Sequence, residues 1–99
     1  MIKKLIVNAD DFGLSEGVCL GILKAHREGI LTSTTCMMNM ENIENYLEMT
    51  KSYPHLGLGV HLNITVGSPL TKVSFVDEKG NFKSRDTYKN REAIVSQEE

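Results

Sequence analysis

The chain has no apolar run long enough to cross a bilayer, no low-complexity stretch and no repeat beyond a strand–helix unit. The basic start, Met1-Ile2-Lys3-Lys4, leads into an apolar run that reaches only Val7, too short for the core of a secretory signal. The expectation is a soluble, cytoplasmic protein. A dominant charge is also missing. The formal net charge of −2 offers no electrostatic reason to expect nucleic acid or an anionic membrane as partner. Cysteine is scarce: Cys19 and Cys36 form no CxxC pair and have no clustered histidines. Both stand in apolar surroundings, which fits buried reduced thiols better than a disulfide or a zinc site.

What is present is ordinary globular composition, 40% apolar and 24% charged over 99 residues, enough for one small domain with a core. Residues 3–8 read as a first strand, a continuous apolar run suited to a sheet covered on both faces. Ser15 is placed to cap a helix running to about Glu28, with Val18, Ile22 and Ala25 at helical spacing beside Leu14 and Leu23, and Gly29 as a left-handed stop. Residues 31–38 read as strand two. A second helix over about Glu41 to Ser52 carries Ile43, Tyr46 and Leu47 as its apolar stripe, with Pro54 beyond its end. Residues 56–65 read as strand three. This β-α-β-α-β order with short links implies an α/β fold with a parallel sheet. The pattern then changes at Gly67-Ser68-Pro69. Val73 to Val76 and Asn81-Phe82 flank Asp77-Glu78-Lys79-Gly80 as a small hairpin, and residues 88–97 read as the start of another helix.

The chemistry is concentrated in Val7-Asn8-Ala9-Asp10-Asp11-Phe12-Gly13. Two adjacent carboxylates at the carboxyl end of a strand stand where α/β proteins collect ligands. Acids this close repel each other unless a cation or a shared proton relieves them, so a divalent metal is the first expectation. His61, near the end of strand three, would reach the same rim. A carboxylate oxygen and an imidazole nitrogen together suit zinc, manganese, nickel or iron. Successive strand residues point in different directions, which favours one acid on the metal and the other free as a base. Plainer readings stand beside these. An Asp-Asp pair serves turns, and a histidine on a strand is usually structural. Residues 32–35 include good strand formers that could also serve at a barrel mouth, and Met37, Met38, Met40 and Met49 suit a core. Phe12 could stack on a bound ligand or pack inside. His26, on the polar face of the first helix, and His55 read as solvated.

Three blocks go further: Val7 to Ser15, then Gly29-Ile30-Leu31-Thr32-Ser33-Thr34-Thr35, then Gly59-Val60-His61-Leu62-Asn63-Ile64-Thr65 with Gly67 and Pro69. In order and spacing they closely resemble the YdjC-like carbohydrate deacetylases, best known through the chitooligosaccharide (chitin disaccharide) deacetylases. The resemblance implies that residues 1–99 are the N-terminal portion of one deacetylase domain. Residues 1–70 would be its βαβαβ core, the start of a distorted (β/α) barrel that looks truncated here, and 71–99 a hairpin insertion and the start of a helix. It implies metal-dependent removal of acetyl from N-acetylglucosamine units, with Asp11 and His61 as metal ligands and Asp10 as general base. The metal would be Mg²⁺ or Zn²⁺, the substrate partner an N-acetylated oligosaccharide, and the assembly a homodimer. The family's third ligand is a histidine from a His-rich downstream segment; His26 and His55 do not match it, so this chain supplies no third ligand. Two other readings remain: a non-catalytic fragment that binds metal or sugar, and a phospho-receiver-like domain. A receiver needs an aspartate at the end of strand three, where this chain has His61 and Asn63.

Overall fold

The computed structural model describes Met1 and residues 3–89. The elements follow in the order β1 (Asn8–Phe12), α1 (Glu16–Glu28), β2 (Ser33–Cys36), α2 (Ile43–Thr50) and β3 (Gly57–Val60), with a short 3-10 helix at Arg85–Lys89. The strands form one sheet in the order β1-β2-β3, and both pairs are parallel. The expected βαβαβ unit is therefore present. Among the described residues, no helix is long and apolar enough to cross a membrane.

The chain divides into two compact units, Met1–Leu62 and Asn63–Glu99. In the first, both helices share one core with the sheet: Phe12, Cys36 and Leu56 meet Cys19, Ile22 and Leu23 of α1 and Ile43 of α2. The buried face of the sheet carries Phe12, Thr34 and Cys36, and Thr34 settles its hydroxyl on the carbonyl of Ala9 at 2.7 Å. The opposite face is polar, with Asn8, Asp10, Ser33 and Thr35, so the sheet is not covered on both faces as a continuous apolar first strand suggested. Leu5 and Ile6 are 71% and 80% exposed and lie before β1. Strand pairing begins only where β2 supplies partners, and the Thr32 and Ser33 amides both donate to the Val7 carbonyl there. The other strands are likewise shorter than their apolar runs.

Helix α1 starts as its sequence demands, with Ser15 Oγ accepting from the amide of Val18 at 3.2 Å. Its end differs from expectation. Gly29 is extended (φ −126°) rather than left-handed, and glycine is needed there for space, since a Cβ would stand 2.7 Å from the Ala25 carbonyl oxygen. Ala25 is exposed, and Cys19 takes a core place beside Ile22 and Leu23. His26 is not simply solvated: its Nδ1 lies 2.7 Å from the Leu31 carbonyl oxygen and its ring meets Tyr53 edge-on. Met37 is buried, whereas Met38 is exposed. His55 is exposed, as expected.

In the second unit, Asn63 Oδ1 accepts from the amides of Thr65 and Val66. The expected hairpin is reduced to one antiparallel bridge, Val76 with Phe82. Asp77 organises its turn by accepting from the amides of Lys79 and Asn81, Gly80 supplies the left-handed step (φ 82°), and Phe75 stacks on Phe82. The helix expected over 88–97 falls mostly outside the described residues.

Candidate active site

The acids do not follow β1; they lie within it, and one of them distorts it. Ala9 pairs with Thr34 but Phe12 pairs with Cys36, so the β1 side of the ladder holds one extra residue. The insertion is a β-bulge. Asp11 carries its torsion, with φ 70°, a left-handed conformation that aspartate tolerates better than most residues. Without the bulge, Asp11 would stand opposite Cys36 and drive a carboxylate into the core. With it, Phe12 takes that place and is fully buried. Phe12 therefore packs inside and offers no face to a sugar, which corrects the stacking role considered for it.

The polar face gathers the rest. Strand alternation puts Gly57, Gly59 and His61 on the side of Ser33 and Thr35. The His61 amide donates to the Cys36 carbonyl at 2.9 Å, extending the pairing one residue past β3 and fixing where the imidazole leaves the chain. Its Nδ1 lies 3.3 Å from Asp11 Oδ1, 3.3 Å from the Asp11 amide nitrogen and 3.4 Å from Thr35 Oγ1. Asp10 Oδ1 accepts from Asn8 Nδ2 at 2.9 Å and from Thr35 Oγ1 at 3.2 Å. Asp10, Asp11 and His61 are thus brought together from the first and third strands. Asp11 and His61 remain 46% and 26% exposed, so the cluster is open to solute. Ser33 and Thr35 belong to the 32–35 stretch for which a place at a barrel mouth was one reading; sequence reasoning missed Asn8, and the available signal was position, because Asn8 stands two residues before Asp10 on the same strand face.

The Asp11 amide points at Nδ1 of His61, which in that arrangement presents a lone pair. Asp11 Oδ1 then faces the same lone pair, acceptor against acceptor. A cation shared by both atoms would remove that conflict, taking the Nδ1 lone pair in place of the Asp11 amide. Two donors each about 2.1 Å from a shared ion stand about 3 Å apart, so the observed separation suits a common metal. The fit is that of a pair, not of a closed shell: among the described residues no group of three His, Cys, Asp or Glu is arranged to hold a metal.

The family model described as YdjC-like protein matches residues 4–99. This chain belongs to the YdjC-like family. YdjC-like relatives include a carbohydrate deacetylase of Brevibacillus brevis, 54% identical over 82 residues, a match covering 81% of this chain and 33% of that one. A chitooligosaccharide deacetylase of Proteus mirabilis is 49% identical over 80 residues, covering 81% of this chain and 32% of its own. The chain thus spans about a third of the length of the curated relatives it matches. A crystal structure of a candidate cellobiose-phosphate cleavage protein from Enterococcus faecalis superimposes with a TM-score of 0.86 at 37% identity, over 97% of this chain and 38% of that one. The βαβαβ architecture of this YdjC-like chain is therefore that of a solved protein.

Proposed function

We propose that this chain carries part of the active site of a metal-dependent carbohydrate deacetylase, acting on N-acetylglucosamine units of chitooligosaccharides or related N-acetylated sugars. The observation behind this reading is the meeting of Asp11 and His61 at 3.3 Å beside a separately held Asp10. The names of the relatives support the reaction class, and that of the Proteus mirabilis protein supports chitooligosaccharides as substrate. Residues 1–99 are read as the N-terminal portion of a single deacetylase domain.

Asp11 and His61 would hold the cation, Zn²⁺ or Mg²⁺. A bound divalent ion supplies Lewis acidity toward the acetamide carbonyl and toward water. Asp10 is the general base. Both its donors go to Oδ1, and Oδ2 carries no hydrogen bond among the described residues, so that oxygen can take a proton from water. The division of labour follows the bulge: Asp11 is turned toward His61, while Asp10 stays in the strand with Asn8 and Thr35.

Titration with Zn²⁺ tests the ligand pair. Asp11→Ala and His61→Ala should each weaken binding by at least about tenfold, and Asp10→Asn should leave it within about threefold. Unchanged affinity in both ligand variants would sink the assignment. Acetate release from an N-acetylated chitooligosaccharide should be lost in Asp10→Asn. A second reading, a module that binds metal or sugar without turnover, is favoured by the two-ligand set among the described residues. Zn²⁺ binding without acetate release would support that second reading.

A further inference from the structure

We infer that Thr35 is a positioning residue that sets the rotation of the Asp10 carboxylate from the middle strand of the sheet. The inference rests on the proposed role of Asp10. β2 is the middle strand, so Thr35 has β1 on one side and β3 on the other. Its hydroxyl lies 3.2 Å from Asp10 Oδ1 and 3.4 Å from His61 Nδ1. A threonine hydroxyl has one proton to give. Nδ1 already receives the Asp11 amide, and an ionised carboxylate can only accept, so the Thr35 proton goes to Asp10. Asn8 Nδ2 donates to the same Oδ1 and is itself oriented by Ser33 Oγ, 2.9 Å from Asn8 Oδ1. One oxygen of Asp10 is therefore pinned from two strands, which fixes the rotation of the carboxylate and the direction of its other oxygen.

Strand propensity does not account for this threonine. Thr34 spends its hydroxyl on the Ala9 carbonyl inside the core, and Thr32 uses its own at the start of the ladder on Val7. Of residues 32–35, Thr35 alone touches two side chains of the proposed site. Valine has nearly the same shape and equal preference for a strand, so a merely structural role would survive its substitution.

The test uses nuclear magnetic resonance on this chain, following the Asp10 side-chain carboxyl carbon. In Thr35→Val its resonance should move while the β3 amides keep their positions, and Thr35→Ser should bring it back. Thr35→Ala makes the same comparison should the valine variant not fold. An unmoved Asp10 resonance in a folded variant, or a serine variant that shifts as far as the valine one, would overturn the inference. An unmodified chain that binds no Zn²⁺ would count against the cation site, whereas the Asp10 resonance judges Thr35 independently of it.

Discussion

Asp11 adopts φ 70°, and that one torsion decides which neighbouring side chain enters the core. A one-residue slip in a strand exchanges its faces, so the bulge both buries Phe12 and keeps a carboxylate out of an apolar interior. The cysteines show the same sorting. Burial pushes the Cys36 and Cys19 thiols above their ordinary range; at Cys19 the Gly13 amide, donating to Sγ at 3.1 Å, partly offsets this. A thiol raised in the folded state binds its proton more tightly there than in the unfolded chain. Its stabilising contribution is complete below the unfolded thiol value of about 8.5 and is lost as pH rises through the folded value. Unfolding free energy from urea titrations should therefore fall as pH rises above about 8.5, and Cys19→Ala with Cys36→Ala should flatten that fall. An identical alkaline slope in the double variant would contradict the account.

At the scale of elements, the helices were more legible than the strands. A helix satisfies its hydrogen bonds within itself, so Ser15, the apolar spacing and Gly29 together delimit α1 almost to the residue. Ser15→Ala should cost about 1 kcal/mol by removing the acceptor for the Val18 amide, seen as a lower thermal midpoint; an unchanged midpoint would show the cap to be idle. Strands satisfy their hydrogen bonds with neighbours, so a run such as Leu5-Ile6-Val7 cannot announce where pairing begins. The alternation in Gly57-Leu58-Gly59-Val60-His61 was legible as a pattern. It sets His61 on the glycine-lined polar face, with Leu58 and Val60 on the other.

At the scale of the molecule, β3 is an edge strand among the described residues, and the apolar side chains on and after it are open: Leu58 is 49% exposed, Val60 67% and Leu62 91%. An unpaired edge with exposed apolar groups is a template for association. Sedimentation should show concentration-dependent association of the chain. Leu58→Lys combined with Val60→Lys should suppress it without loss of the thermal midpoint, because neither side chain contributes to the buried core. A chain that stays monomeric at all concentrations would refute this.

The local sequence by itself determined the α/β order, the extent of α1 and the reduced buried thiols. Each depends on spacing and residue type within a few positions. Only the tertiary structure decided that a bulge turns Asp11 toward His61, that Phe12 is interior, and that Thr35 stands between Asp10 and His61. Those outcomes depend on register between strands some 25 residues apart. Register is set by the balance of burial on the two sheet faces and the pairing of backbone groups across them, which no local stretch of sequence contains.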